Sequence, residues 1–155
     1  MEKDKKGAAV KFPPPLIFII GMIIGYAINY RFPVTLGESE YINLFGKLLI
    51  TVAITVLGYA LYLFFKAKTE IEPWKPTSSI ISTGLFAYSR NPIYTAFCIT
   101  TVGLGLVFNN MWMLISFIPS AVFVYHIAIK KEERYLESKF GNEYINYKQK
   151  VRRWI

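Results

Sequence analysis

Long apolar segments separated by short polar stretches dominate the chain. Four of them are candidate membrane spans, at about residues 13–31, 44–65, 92–108 and 111–129. Each segment is close to the roughly 20 residues that a helix needs to cross a bilayer core roughly 30 Å thick. The pattern therefore predicts an all-α integral membrane protein with four transmembrane helices in a single domain, residues 1–155.

The distribution of charge predicts the orientation of these spans. All but two of the 18 basic residues lie before the first span, between the second and third, or after the fourth. The two exceptions are Arg31 and Lys47. Because Lys and Arg concentrate on the cytoplasmic side of membrane proteins, both termini are predicted to be cytoplasmic. The net charge of +8 then reflects topology and anionic lipid headgroups rather than nucleic acid, which is not an expected partner.

Composition agrees with a membrane helix bundle and argues against several other classes. The chain is 54% apolar and 17% aromatic, with a mean hydropathy of +0.34. Its one cysteine, Cys98, and one histidine, His126, exclude a disulfide framework and an ordinary zinc site, so no metal is expected. The first apolar segment is interpreted as a retained helix, since no signal-peptidase pattern of small residues follows near residues 27–29.

The segment after the fourth span has a mixed apolar and charged pattern. Ile129, Leu136 and Phe140 fall within a narrow arc at helical spacing. The fourth helix is therefore predicted to continue into the cytoplasm as an amphipathic helix. Glu132 and Glu133 lie on the two edges of its apolar face, where unpaired carboxylates would be costly.

Polar side chains gather at one end of the hairpin formed by the third and fourth spans. Because Asn109 and Asn110 connect these spans as a short turn, the start of the third and the end of the fourth lie at the same level. Ionisable groups at this depth are expensive and favour a functional explanation. The candidates brought together are Arg90, Asn91 and Tyr94 on one side and His126, Glu132 and Glu133 on the other.

These side chains match the chemistry of S-adenosylmethionine. A guanidinium binds a carboxylate or phosphate, carboxylates bind an ammonium, and aromatic rings bind a purine or a sulfonium. A structural alternative stays open, in which Arg90, Arg152 or Arg153 simply pairs with the two glutamates. The cytoplasmic loop 66–91 either lines or covers this site, together with the tail 130–155, or only tethers the chain at the membrane surface.

Two motifs resemble a known family. Residues 84–94 are similar to the Gly-x-(Tyr/Phe)-x-x-x-Arg-(His/Asn)-Pro-x-Tyr signature of the isoprenylcysteine carboxyl methyltransferase and phospholipid methyltransferase superfamily. Residues 132–153 are similar to its second segment, a Glu-Glu pair followed by tyrosines and an arginine. The resemblance implies an integral membrane enzyme that uses S-adenosylmethionine to methylate a lipidic or isoprenoid acceptor at the cytoplasmic membrane face.

The resemblance also implies roles for individual residues. The catalytic candidates are Arg90, Asn91 and Glu133. Arg90 would orient the acceptor's anionic group or the cofactor's carboxylate, and Glu132 or Glu133 would hold the cofactor's amino group. The other cofactor-binding candidates are Tyr94, His126, Tyr144, Tyr147 and Arg153. The acceptor can be a carboxylate, an amine or a thiol, because Asn91 stands where the eukaryotic isoprenylcysteine enzymes have histidine.

Two other functions stay open from the sequence. Membrane sterol reductases have a similar C-terminal hairpin and bind NADPH, but they place asparagine directly before the tyrosine, where this chain has Ile93. A non-enzymatic membrane scaffold is the third hypothesis. The presence of Arg90 and of both glutamates favours an enzyme over a scaffold.

Overall fold

The computed structural model describes residues 7–154. All regular secondary structure in this range is helical. The one extended pairing recorded within these residues is an isolated bridge between Ser89 and Arg152. The prediction of an all-α protein is confirmed for this range. Three lysines that contributed to the predicted orientation, Lys3, Lys5 and Lys6, lie outside the described residues.

The helices follow the apolar segments closely. In chain order they are α1 (Pro14–Arg31), α2 (Glu40–Lys66), α3 (Pro92–Val107), α4 (Met111–Ile115), α5 (Phe117–Val124), α6 (Lys130–Phe140) and α7 (Asn142–Lys150). A 3₁₀ turn occupies Gly84–Ala87, and a π-helical turn occupies Tyr125–Ile129. Pro14 stands in the first turn of α1, where its missing N–H has no intrahelical partner to lose.

Among the described residues, three helical segments are long and apolar enough to cross a membrane: α1, α2 and the continuous run Met111–Phe140, which contains α4 to α6. By contrast, α3 has 16 residues. At a rise of about 1.5 Å per residue it is roughly 24 Å long, which is less than the ~30 Å of a bilayer core. The four-span arrangement therefore stays a prediction.

Glycine allows the membrane helices to approach each other closely. A Cβ atom on Gly46 of α2 would lie 2.8 Å from the carbonyl oxygen of Gly103 in α3. A Cβ atom on Gly105 would lie 2.5 Å from Cα of Leu114. These contacts fix α3 between α2 and the last long helical run, so that the start of α3 lies beside α6.

The segment before α1 crosses over the loop between α2 and α3. Gly7 N donates to Trp74 O at 3.1 Å, and Ala8 N donates to Pro73 O at 2.7 Å. Ala8 and Val10 are buried in the main apolar cluster. A Cβ atom on Gly7 would lie 2.7 Å from Pro73 O, so this approach requires glycine. We call residues 7–12 the N-terminal strap.

Candidate functional site

Glu133 is the centre of a buried ion-pair cluster. Arg153 forms a bidentate pair with it, donating from Nε to Oε1 at 2.9 Å and from Nη2 to Oε2 at 3.0 Å. Nη1 of Arg90 lies 3.0 Å from the same Oε1 atom. The hydrogen bond to Glu133 raises the pKa of Arg153. Two guanidinium groups thus compensate the cost of burying the Glu133 carboxylate.

Arg90 retains unused hydrogen-bonding capacity. Its side chain is 9% exposed. Among the described residues, its Nε and Nη1 atoms have no hydrogen-bond partner, because the close contact of Nη1 with Glu133 lacks hydrogen-bond geometry. Buried donors without partners are costly and uncommon in native proteins. Arg90 is also a lining residue of the cavity described below, so its guanidinium borders the space that a ligand would occupy.

Glu132 has a different partner from its neighbour. Tyr94 Oη donates to Glu132 Oε1 at 2.6 Å, and the Tyr94 side chain is buried. The phenol brings no positive charge to Glu132, whereas two guanidinium groups compensate the charge of Glu133. The two adjacent glutamates therefore have different chemistry available to them.

Two tyrosines of α7 complete the polar side of the site. Burial, followed by the nearby charge of Glu133, raises the pKa of Tyr144 to about 12, so its hydroxyl stays protonated at neutral pH. Burial also raises the pKa of Tyr147. The Tyr147 hydroxyl donates to Phe86 O at 2.7 Å, which links α7 to the 3₁₀ turn before α3.

These groups border a cavity of about 430 Å³. Its size lies within the roughly 300–1,000 Å³ that is typical of small-molecule sites. The site residues predicted from the sequence that line this cavity are Arg90, Asn91, Tyr94, Glu132, Glu133, Tyr144 and Tyr147. Its apolar walls include Leu57, Leu61 and Phe64 of α2 and Ile93 and Phe97 of α3. The cavity therefore combines a charged end with a hydrocarbon-like side.

The structure does not bring every predicted residue to this cavity. Arg153 supports Glu133 from outside the lining, and His126 is exposed, with its ring centroid 5.0 Å from that of Tyr125. The sequence prediction placed His126 beside Glu133, because uninterrupted α-helical spacing brings residues seven positions apart to the same side of a helix. The π turn adds a wider turn there and changes the phase of α6, so the two side chains have different environments.

Sequence reasoning missed several parts of the cavity wall. Ala8 and the residues Pro13 to Pro15 reach it from the N-terminal side, and Tyr135 and Leu136 reach it from α6. The proline run before the first span could have indicated an ordered entry to α1. The leucines of α2 carry no local signal, because every membrane span is apolar. Loop residues from Glu70 to Ile81 also line the cavity, which favours the lining role over a simple tether.

The site lacks the ligand set of a metal centre. Within residues 7–154, no group of three or more His, Cys, Asp or Glu side chains is placed to hold a metal ion. The nearest carboxylates, Glu132 and Glu133, are occupied by the tyrosine and arginine contacts described above.

Comparison with known proteins identifies the family. The model of the phospholipid methyltransferase family matches residues 41–143. The chain belongs to this family. The matched range contains Arg90 and the start of α3, as well as both glutamates of α6, so it includes the part of the cavity lining that lies between residues 41 and 143.

Individual relatives are isoprenylcysteine methyltransferases. Protein-S-isoprenylcysteine O-methyltransferase from Saccharomyces cerevisiae is 31% identical over 106 residues, which cover 68% of this chain and 42% of the yeast protein. Protein-S-isoprenylcysteine O-methyltransferase B from Arabidopsis thaliana is 29% identical over 109 residues, covering 68% and 51% respectively. The chain spans about half the length of these curated relatives.

A solved structure has a similar fold. The eukaryotic intramembrane Ras methyltransferase, isoprenylcysteine carboxyl methyltransferase, superposes with a TM-score of 0.69 at 20% sequence identity. The match covers 90% of this chain and 51% of that protein. With the three membrane-length helices, this likeness supports an integral membrane protein. The matches do not favour the sterol reductase alternative.

Proposed function

We propose that the chain is an S-adenosylmethionine-dependent methyltransferase that acts on a lipidic or isoprenoid acceptor at the cytoplasmic membrane face. The observation that carries the proposal is the buried Arg90, which borders a 430 Å³ cavity and whose Nε atom has no hydrogen-bond partner among the described residues. Membership of the phospholipid methyltransferase family supports the class of reaction. The acceptor's reacting group is a carboxylate, an amine or a thiol.

The residues present fit S-adenosylmethionine. The unused donors of Arg90 suit a carboxylate, from the cofactor or from the acceptor. Glu132 suits the cofactor's ammonium better than Glu133 does, because the charge of Glu133 is already compensated by two arginines. The rings of Tyr144 and Tyr147 offer faces to the adenine or to the sulfonium.

The chemistry required of the protein is mainly alignment. When bound, S-adenosylmethionine supplies a methyl group that an acceptor oxygen, nitrogen or sulfur atom attacks in line with the breaking carbon–sulfur bond. Arg90 and Glu132 would hold the two reactants in this line, which converts an encounter in solution into an oriented reaction. The N-terminal strap and the loop that it crosses would exclude water from the cavity.

The membrane arrangement belongs to the same proposal. In this arrangement α3 crosses the membrane in addition to the three longer segments. Both termini lie in the cytoplasm, as the distribution of basic residues favours. The cavity wall formed by Leu57, Leu61 and Phe64 then lies at the depth of the bilayer. The hydrocarbon part of an acceptor would contact this wall while its reacting group faces Arg90.

Calorimetric titration of the detergent-purified protein with S-adenosylhomocysteine tests the proposal. We expect saturable binding that weakens by roughly tenfold or more in Glu132→Gln, since hydrogen bonds to charged groups contribute about 1.5–3 kcal/mol. Glu137→Gln is the matched control, because Glu137 lies on the same helix and pairs with Lys148 at 3.1 Å, away from the cavity lining. Binding of NADPH in place of S-adenosylhomocysteine would support a reductase, and binding of neither would support a scaffold.

A further inference from the structure

The tail that follows α7 lies against the segment that precedes α3. Arg90 N donates to Arg152 O at 2.9 Å, and Ser89 and Arg152 form the isolated parallel bridge. The Asn91 side chain adds a third link, since its Nδ2 donates to Arg153 O at 2.9 Å. Main-chain atoms of two consecutive tail residues are thus fixed to the start of α3.

The Asn91 side chain forms this link and does not cap α3. Asn91 occupies the N-cap position, where an asparagine usually accepts a hydrogen bond from a backbone N–H of the first turn. No such bond forms here, and Pro92 follows directly. The buried amide donates to the tail instead. The one side-chain hydrogen bond that Asn91 forms within the described residues is therefore the link to the tail.

The residue that Asn91 holds by its carbonyl oxygen is the one that orients Glu133. The guanidinium of Arg153 binds both oxygens of Glu133, and its Cζ lies 5.0 Å from the centre of the Tyr125 ring. Arg153 is therefore fixed at its main chain, at its nitrogen atoms and at one face of its planar group. Such support from surrounding residues is what holds a binding group in a productive position.

Glu133 transmits this arrangement to Arg90. Its Oε1 atom is shared between Arg153 Nε and Arg90 Nη1, at 2.9 and 3.0 Å. If Arg153 moves, Glu133 loses its bidentate partner and no longer fixes the guanidinium of Arg90. The contacts thus form a continuous series from the amide of Asn91 to the guanidinium of Arg90, which borders the cavity.

We propose that Asn91 is a positioning residue that acts through the tail, fixing Arg153 and thereby the Glu133–Arg90 pair. The inference rests on the proposed function, in which Arg90 binds an anionic group of the cofactor or the acceptor. It assigns Asn91 a role different from the catalytic one that the family resemblance implies. Asn91 borders the cavity, but the donor of its amide is used by the tail.

A double-mutant cycle read by S-adenosylhomocysteine affinity tests this role. Asn91→Ala is expected to weaken binding by about tenfold, the effect of one lost hydrogen bond, and Arg153→Gln, which removes two charge-assisted bonds to Glu133, by at least as much. Because Asn91 acts through Arg153, the double variant should bind no more weakly than Arg153→Gln alone. Asn91→His keeps an N–H donor and should restore most of the affinity lost in Asn91→Ala.

Hydrogen exchange provides a readout that requires no ligand. In Asn91→Ala the backbone amide of Arg90, which donates to Arg152 O, should exchange faster, while amides at the α2–α3 contact keep the parent rate. Asn146→Ala is the matched control, because Asn146 is an exposed residue of α7. A general loss of folding would accelerate both regions together.

The outcomes separate the inference from the proposed function. Losses of affinity that multiply in the double variant would overturn the inference, since Asn91 would then act independently of Arg153. An unchanged exchange rate at Arg90 would also overturn it. A parent protein that does not bind S-adenosylhomocysteine would instead overturn the proposed function, and the exchange measurement would still decide whether Asn91 holds the tail.

Discussion

The adjacent residues Glu132 and Glu133 have different partners and therefore different roles in the structure. Glu133 is buried and binds two guanidinium groups, so its role is mainly structural. Glu132 accepts a hydrogen bond from Tyr94 and forms no ion pair with the two arginines that bind Glu133. The alternative of simple arginine pairing thus describes Glu133, whereas Glu132 is the residue to which we propose the cofactor role.

Neutralising Glu133 should destabilise the protein. Glu133→Gln leaves the buried guanidinium of Arg90 and the partly exposed one of Arg153 without their carboxylate, and breaking a buried pair costs roughly 3–5 kcal/mol. Thermal unfolding in detergent should show a clear decrease in Tm. In Glu137→Gln, which breaks a partly exposed pair, the loss should stay below about 1 kcal/mol. Equal decreases in the two variants would contradict the central role of Glu133.

At the level of elements, the π turn decides which side chains of α6 reach the cavity. A π turn contains more residues than an α-helical turn, so it changes the phase of all positions that follow. It lies at Tyr125–Ile129, immediately before α6. With this phase Glu133 contacts Arg90 and Arg153, and Glu132 contacts Tyr94, while His126 remains exposed.

Deleting one residue of the π turn should therefore disable the site without unfolding the helix. Deletion of His126 would restore α-helical spacing and rotate α6 by about 100°, which removes both glutamates from their partners. We expect loss of S-adenosylhomocysteine binding with unchanged helical circular dichroism.

The point variant His126→Ala is the control for this deletion. It keeps the π turn, and because the side chain is exposed and outside the cavity lining, affinity should not change. A loss of affinity in His126→Ala would instead restore the cofactor-binding role predicted from the sequence.

The N-terminal strap is a second element whose position depends on one residue. In Gly7→Ala the added Cβ atom would lie 2.7 Å from Pro73 O, so the strap must move away from the loop. We expect faster hydrogen exchange at Ala8, whose N–H donates to Pro73 O, and faster release of S-adenosylhomocysteine. The control is Gly58→Ala in α2, where an added Cβ meets nothing within 4 Å. Similar effects of both substitutions would contradict a specific role of the strap.

For the whole molecule, the arrangement in the membrane connects the cavity with its substrates. Three segments are long enough to cross a bilayer, whereas α3 is shorter. Close packing at Gly46 and Gly103 holds α3 against a full-length neighbour. In the proposed arrangement this neighbour carries the apolar cavity wall, so one helix pair serves both for crossing and for acceptor contact.

Cysteine labelling tests the crossing of α3 and the orientation together. In a Cys98→Ala background, single cysteines replace Glu38, Phe108 or Gln149, which are all exposed. A membrane-impermeant maleimide applied to spheroplasts should label Glu38→Cys and Phe108→Cys. Gln149→Cys should react only after permeabilisation. Labelling of Phe108→Cys in parallel with Gln149→Cys would show that α3 does not cross.

The structure brings the predicted site residues together most completely where they are adjacent in the sequence. Arg90, Asn91 and Tyr94 lie within one turn of the start of α3, and the two glutamates lie within one turn of α6. A short hairpin connection then suffices to bring the two groups together. The cavity walls from α2 and from the N-terminal strap were missed, since contacts between distant apolar segments leave no local pattern.

The sequence by itself determined the helical membrane segments, the excess of basic residues around them and the two polar groups at the ends of a hairpin. Hydrophobicity and charge act on each segment locally, so they can be interpreted without knowledge of its neighbours. Only the tertiary structure decided that Glu133 binds Arg90 and Arg153, that Asn91 holds the tail and that His126 stays outside the site. These outcomes depend on helix phase and on contacts between residues as many as 62 positions apart, which no local pattern specifies.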